Sequence, residues 1–291
     1  MDDRVTASLT RIAVGAREYS LEYEWVSHER SALAPEGTAS PLPPLLVFLH
    51  EGLGSVAMWR DWPRQLCEAG GFRGLIYSRP GYGRSTPRPH AEKWPVDFMH
   101  TQARDVLPAL LQELGVATAG DPPWLVGHSD GASIALIHAA AFPSRVAGVI
   151  ALAPHVFVED LSIESIERTR ETYLATTDTQ QAPLRVKLAR YHDEPDSAFW
   201  GWNDIWLDPA FRSWNIEAML PAITKPVLVV QGEDDEYGTM AQVDSIAKRV
   251  PQAEVLKLPA CGHSPQRDQA QQVIKAIVEF IARHSQQRTY E

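Results

Sequence analysis

The feature that most constrains this chain is the pentapeptide Gly127-His128-Ser129-Asp130-Gly131, because of what stands on either side of it. Trp124-Leu125-Val126 is a short apolar run after Asp121-Pro122-Pro123 and reads as a buried strand, and 132–141 reads as a helix that stops before Pro143. A serine at such a junction occupies a tight turn, and the close backbone approach demands small residues two positions to either side. Its hydroxyl then projects above the strand ends, where a nucleophile is accessible.

The rest of the chain repeats that strand-then-helix form. Leu45-Leu46-Val47-Phe48-Leu49 is a continuous apolar run, as expected of a strand buried on both faces in a parallel sheet. Helix-like 55–69, the strand Gly74-Leu75-Ile76-Tyr77-Ser78 and an amphipathic helix over 97–114 follow it. Beyond the pentapeptide come a buried strand at 146–152, another at 226–230, a helix at 240–250, a strand at 254–258 and a final helix at 266–284. Ahead of this rhythm, 8–14 and 19–27 alternate as an antiparallel hairpin, a Pro/Gly/Ser-rich loop covers 33–44, and 285–291 reads as a frayed tail. Alternation lapses only over 156–220, which is polar, helical and aromatic. The expected architecture is therefore an α/β fold with a mostly parallel sheet and helices on both faces, formed by 1–155 and 221–291, with 156–220 inserted as a helical lid. A length of 291 residues, 44% of them apolar, suits one such domain.

Charge and cysteine content narrow the setting. The net charge of -10 argues against a nucleic-acid partner. Two cysteines, Cys67 and Cys261, form neither a disulfide framework nor a metal-ligand pair, which fits a cytoplasmic protein. The start, Met1-Asp2-Asp3-Arg4, does not resemble a signal peptide, and no apolar run approaches the roughly 20 residues of a membrane span.

A serine nucleophile needs a base, and the base needs an acid to orient it. His263, in Gly262-His263-Ser264-Pro265 after the strand at 254–258, is the candidate base. Asp235, after the strand at 226–230, is the candidate acid, with Asp234, Glu233 and Glu236 as competitors. Among the other histidines, His138 reads as packed on its helix, and His28, His90, His192 and His284 as surface or loop residues. The side chain of His128 should point away from the substrate face, while His155 is a candidate pocket wall. Cys261 reads as a small packed side chain. The oxyanion of an acyl-transfer intermediate needs preorganised N–H donors. The backbone of Asp130 is one candidate, and Gly52 or, second, Leu53 in His50-Glu51-Gly52-Leu53-Gly54 is the other.

Taken together, His-x-Gly-x-Gly at 50–54, Ser78-Arg79-Pro80-Gly81-Tyr82-Gly83-Arg84-Ser85, the Gly-x-Ser-x-Gly turn, the acidic turn and Gly-His-Ser-Pro resemble the α/β-hydrolase superfamily from about Leu45 to Ala282. The resemblance implies an eight-stranded, mostly parallel sheet with an inserted cap, and a triad of Ser129, Asp235 and His263. Ser129-Asp130-Gly131, the stretch from Pro154 to Asp160 and the Trp-rich lid are most similar to valacyclovirase-type amino-acid-ester hydrolases within the esterase, lactonase and C–C hydrolase group. Two residues depart from the common pattern, Glu51 and Asp130. In the valacyclovirase-like group an acid after the nucleophile is associated with a substrate amino group. The alternative is that Glu51 caps or pairs with Arg79 or Arg84, and that Asp130 acts only through its backbone.

Four of the nine tryptophans, Trp200, Trp202, Trp206 and Trp214, fall in the lid, either as walls of an apolar pocket or as anchors of its helices. The function expected is hydrolysis of a small carboxylic ester, with thioesters, lactones or an activated C–C bond next, and with no metal or organic cofactor. The expected assembly is a monomer or homodimer. A small-molecule receptor on the same fold is the contrasting expectation.

Overall fold

A computed structural model describes residues 7–26, 42–116, 121–175 and 183–287. The segments expected at 1–4, most of the Pro/Gly/Ser-rich loop at 33–44 and the end of the tail at 285–291 lie outside the described residues.

The chain forms one eight-stranded sheet. Its strands are β1 Ser8–Val14, β2 Arg17–Val26, β3 Leu45–Leu49, β4 Arg73–Tyr77, β5 Trp124–His128, β6 Gly148–Leu152, β7 Val227–Gly232 and β8 Ala253–Leu258. The spatial order is β1-β2-β4-β3-β5-β6-β7-β8; β1, β2 and β4 pair antiparallel, and every pairing from β4 to β8 is parallel. Helices are α1 Trp62–Gly70, α2 Phe98–Thr101, α3 Leu107–Glu113, α4 Asp130–Ala141, α5 Asp160–Leu174, α6 Leu184–Leu188, α7 Pro195–Trp206, α8 Met240–Arg249, α9 Pro265–Asp268 and α10 Ala270–Gln287. None of the described helices is long and apolar enough to cross a membrane.

Continuous apolar strands require a layer on each face, and the residue-by-residue split shows both. Leu45, Val47 and Leu49 of β3, Leu125 of β5, Val149 and Ala151 of β6 and Val229 of β7 join a cluster with Leu107, Leu110, Ile134, Ile137, Val243 and Ile246 from α3, α4 and α8. Their neighbours Leu46, Phe48, Val126, Ile150, Leu152 and Val230 join Trp62 and Leu66 of α1 and Val273, Ile277 and Phe280 of α10. Strand side chains alternate between faces, so one uninterrupted run fills two cores. Each fully buried aliphatic side chain contributes about 1.5–3 kcal/mol to that assembly. Helix α4 is apolar all round and almost wholly buried, being enclosed between the sheet and its neighbours.

Three helical expectations are corrected. The stretch 55–69 is a 3₁₀ turn, Ala57–Trp59, and then α1, separated by Arg60 at φ 54°. The amphipathic helix at 97–114 runs through α2 and α3 but contains a π-helical turn, Gln102–Val106. The final helix is divided into α9 and α10 at Gln269, whose φ of -134° and ψ of 48° are not helical. The segment between β6 and β7 holds α5, α6 and α7, adds no strand to the sheet among its described residues, and is closed at its base by a bridge between Phe157 and Asn215.

Because the strand order reverses direction around β3, the C-terminal ends of β3 and β5 flank a crevice, the usual ligand position in an open parallel sheet. The loops leaving β7 and β8 reach the same edge and are zipped together by Asp234 N–H donating to the Cys261 carbonyl at 3.0 Å. Gly232 permits that contact: a Cβ there would lie 2.1 Å from the Cys261 oxygen and 2.4 Å from that of Gly262. Gly232→Ala should therefore cost about 1–3 kcal/mol, read as a lowered midpoint in urea denaturation; an unchanged midpoint would contradict the contact.

Candidate functional site

The turn at Ser129 is built by close approach. Ser129 has φ 52°, a left-handed conformation that a non-glycine residue adopts only under constraint. A Cβ on Gly127 would lie 2.3 Å from the Gly131 oxygen, and one on Gly131 would lie 2.0 Å from the Leu49 oxygen of β3. The start of α4 therefore abuts the end of β3, and the Ser129 N–H donates to the Leu152 carbonyl of β6 at 2.9 Å.

The loops after β7 and β8 bring two further side chains to that serine. His263 Nε2 lies 2.9 Å from Ser129 Oγ, and His263 Nδ1 lies 2.9 Å from both carboxylate oxygens of Asp235. The carboxylate accepts from Nδ1–H, which leaves Nε2 to accept from the serine hydroxyl. Asp235 Oδ1 also accepts from the Tyr237 N–H at 2.8 Å, and Oδ2 from Gln231 Nε2 at 2.7 Å. Burial pushes the Asp235 pKa up, but the hydrogen bond and charge of His263 and the Tyr237 amide outweigh it, and the net shift is down. Of the competing acids, Asp234 engages the Cys261 carbonyl through its N–H, and Glu236 accepts from the His263 backbone N–H at 3.2 Å.

Above the serine lies a cavity of about 190 Å³. Gly52, Leu53, Met58, Ile166, Trp202 and Trp206 line it together with Glu51, His128, His155 and Tyr237. Trp202 packs so tightly on Gly52 that a Cβ there would lie 2.2 Å from its indole ring. Trp202 and Trp206 are one helical turn apart on α7 and share a face. Trp200 and Trp214 do not line the cavity: Trp200 packs edge-on against Phe199, and Trp214 stacks on Phe211. The four tryptophans between β6 and β7 thus divide into two walls and two anchors, and helical spacing within 200–206 could have separated Trp200 from Trp202 and Trp206.

Three histidine expectations change or sharpen. His128 faces the cavity; its Nε2–H donates to the His263 carbonyl at 2.7 Å and its Nδ1 lies 3.0 Å from Gln266 Nε2. His155 also lines the cavity, with its ring 5.7 Å from that of His263 and a pKa lowered to about 3 by burial and by the neighbouring His263. His192, expected on the surface or in a loop, lies in the loop between α6 and α7 but is 3% exposed: Nδ1 accepts from the Gly83 N–H at 2.9 Å and Nε2–H donates to the Leu53 carbonyl at 2.9 Å. No local signal marks it, since its partners are 109 and 139 residues away.

The two acidic departures are placed differently. Glu51 lines the cavity, and its carboxylate sits 3.5 Å from His128 Nδ1. Burial raises its pKa, but His128 lowers it further, to a net value of about 2. Neither Arg79 nor Arg84 pairs with that carboxylate; Arg79 Nη2 instead donates to the Glu51 carbonyl at 2.9 Å. Asp130 does not line the cavity. Its side chain, 1% exposed, accepts from Trp206 Nε1 at 3.1 Å and lies 3.9 Å from Arg79 Nη2, and burial raises its pKa despite that cation. The Asp130 N–H heads α4 and has no partner within the helix, and Gly52 and Leu53 line the cavity. Burial lifts the thiols of Cys67 and Cys261, to about 12 and about 11, so neither forms a ready thiolate. Among the described residues, no group of three or more His, Cys, Asp or Glu is arranged to hold a metal ion.

With this geometry in hand, similar proteins are informative. The model of the alpha/beta hydrolase family matches residues 46–276. A 2-hydroxy-6-oxononadienedioate/2-hydroxy-6-oxononatrienedioate hydrolase of Comamonas testosteroni is 24% identical over 81% of this chain and 87% of its own. A bifunctional esterase/perhydrolase of Acinetobacter calcoaceticus is 25% identical over 81% of this chain and 91% of its own. The solved structure of a thermophilic esterase from Thermogutta terrifontis superposes with a TM-score of 0.70 at 20% identity, covering 96% of this chain and 99% of that one. A match of this extent, on an eight-stranded sheet of this order, establishes that the chain belongs to the alpha/beta hydrolase family.

Proposed function

We propose that the protein is a serine hydrolase that cleaves small carboxylic esters through an acyl-enzyme on Ser129. The observation that carries this reading is the continuous set of 2.9 Å contacts from Ser129 Oγ through His263 to Asp235 at the floor of an apolar cavity. Ser129 Oγ attacks the acyl carbonyl as His263 Nε2 takes its proton, and Asp235 holds Nδ1–H and stabilises the resulting imidazolium. The carbonyl oxygen becomes an oxyanion met by the N–H groups of Asp130 and Gly52, with Leu53 the alternative to Gly52. Collapse expels the alcohol, which receives the proton from His263. Water then attacks the acyl-serine with the same base and releases the acid.

In this reading 156–220 is a lid on a core formed by 1–155 and 221–291, and α7 supplies the acyl pocket's ceiling. A cavity of about 190 Å³ is slightly larger than the ~150 Å³ that holds a benzene ring, so the acyl group is a phenyl ring or a short branched chain. The relatives named for dienedioates act on dicarboxylates. Here Glu51 lines the cavity and, among the described residues, no Lys or Arg does, which favours a neutral or cationic acyl group. Thioesters and lactones fit the same chemistry. The acidic chain with two unpaired thiols suits a cytoplasmic enzyme.

Three kinds of outcome test this, the first of them catalytic. Ser129→Ala should lower hydrolysis of p-nitrophenyl butyrate by at least about 10³-fold, as followed by p-nitrophenol release; retained turnover would remove the serine mechanism. In the same assay Asp235→Asn should lose far more activity than Asp234→Asn, and the reverse ranking would reassign the acid. The second outcome concerns pH. A carboxyl whose folded pKa is depressed stabilises the fold fully above its unfolded value of about 3.9 and loses that contribution as pH falls through the folded value. Between about pH 5 and 3 the wild type should lose stability in urea more steeply than Asp235→Asn; parallel slopes would show that Asp235 is not perturbed. The third concerns charge: an amino-acid p-nitrophenyl ester should exceed its des-amino analogue in kcat/KM by roughly twofold to fivefold, and Glu51→Gln should erase the difference. Parity in the wild type would dismiss the charge selection.

A further inference from the structure

The two N–H groups assigned to the oxyanion belong to peptides whose carbonyl ends are both pinned. The Glu51 carbonyl accepts from Arg79 Nη2 at 2.9 Å, from His50 Nδ1–H at 2.7 Å and from the Gly54 N–H at 3.1 Å. In a trans peptide C=O and N–H point in opposite directions. A Glu51 carbonyl turned inward to Arg79 and His50 therefore turns the Gly52 N–H outward, and Gly52 lines the cavity. The Ser129 carbonyl is likewise turned inward, accepting from the N–H groups of Ala132 at 2.9 Å and Ser133 at 3.1 Å, which directs the Asp130 N–H the other way.

Arg79, in the loop after β4, reaches both halves of this arrangement. The Nη2 that holds the Glu51 carbonyl lies 3.9 Å from Asp130 Oδ2, and each side chain is 1% exposed. The Arg79 N–H also donates to His50 Nε2 at 3.0 Å, which fixes the tautomer that puts Nδ1–H on the same Glu51 carbonyl. The guanidinium sits 5.0 Å over the Tyr82 ring, and Asp130 Oδ1 is held by Trp206 Nε1 at 3.1 Å, so the partners on both sides are held in place. A cation there has two effects. It offsets the Asp130 carboxylate, which would otherwise oppose negative charge forming beside it. It also polarises the Glu51–Gly52 peptide from its carbonyl end, which strengthens the N–H as a donor.

We propose that Arg79 is the positioning residue of the oxyanion hole, aligning the Gly52 N–H through the Glu51 carbonyl and offsetting the charge of Asp130 behind the other donor. This rests on the serine-hydrolase reading, which the comparison of wild type with Ser129→Ala judges separately. In Arg79→Met, kcat should fall about 10²-fold with KM changed by less than about threefold. Affinity for butylboronic acid, which forms a tetrahedral anionic adduct on the serine oxygen, should fall by the same factor as kcat. Arg79→Lys keeps the charge without the planar fork and should recover part of both losses. Amide hydrogen exchange over 50–54 should quicken in Arg79→Met, a readout that needs no turnover. Unchanged kcat and boronic-acid affinity, a loss confined to KM, or unaltered exchange over 50–54 would overturn the proposal. Where Arg79→Met does not fold, Arg79→Lys decides: parallel losses of kcat and boronic-acid affinity sustain the role, and intact values overturn it.

Discussion

The left-handed turn at Ser129 is the constraint on which the rest of the site depends. A serine at φ 52° carries a conformational cost of about 1–3 kcal/mol, and it persists because the surroundings admit no other path. Its N–H is taken by β6, Gly131 lies against the Leu49 carbonyl of β3, and Gly127 lies beneath the first turn of α4. The same turn raises the hydroxyl toward His263, frees the Asp130 N–H, and brings the start of α4 against the loop that carries Gly52. The proposed nucleophile and oxyanion donors are thus set by one backbone conformation rather than by independent side-chain placements.

Around that turn stand three acids with different environments. Asp235 has His263 and two backbone amides, Glu51 has His128, and Asp130 has Arg79 and an indole N–H. The shifts follow from those partners: Asp235 and Glu51 go down, while burial takes Asp130 up because its cation is 3.9 Å away and its indole donor is neutral. The neighbouring imidazoles of His50 and His155 are driven down by burial and stay neutral. His263 is therefore the imidazole of this group that has both a carboxylate and a hydroxyl as partners, which is the arrangement a general base needs.

How much of this was legible in the sequence depends on how local the determining contacts are. The parallel sheet was readable because strands such as β3 and β6 carry their burial in five consecutive apolar residues, and Gly127 and Gly131 declare a turn in which a Cβ has no space. The outward run of β8, mostly exposed, was readable only from its place in the alternation. The π-helical turn within 97–114 left no trace, since one extra residue per turn hardly alters an amphipathic pattern. His192 and Arg79 were opaque for a different reason: their partners are backbone groups of distant loops, and a backbone carbonyl has no residue identity to read. The fate of Asp130 was likewise undetermined, because an acid beside a nucleophile faces the substrate or the interior according to where a distant arginine and tryptophan lie.

Trp206 joins these levels. Its ring lines the cavity and meets His155 edge-on at 5.1 Å, while its indole N–H holds the carboxylate of Asp130, the residue that follows Ser129. From the other side of the cavity, His192 ties the segment between α6 and α7 to the Leu53 carbonyl. The segment between β6 and β7 is thereby fastened to both loops that carry the proposed oxyanion donors, and α7 is held to α5 by Asn203 Nδ2 donating to the Ile166 carbonyl at 3.3 Å. A shift of α7 large enough to enlarge the cavity would break the bond to Asp130 and draw Trp202 away from Gly52. Pocket size and donor geometry are consequently coupled: under the proposed mechanism, changes that admit a bulkier acyl group at Trp202 or Trp206 act on the transition state as well as on binding, because the walls of the pocket also support the loop that carries Gly52.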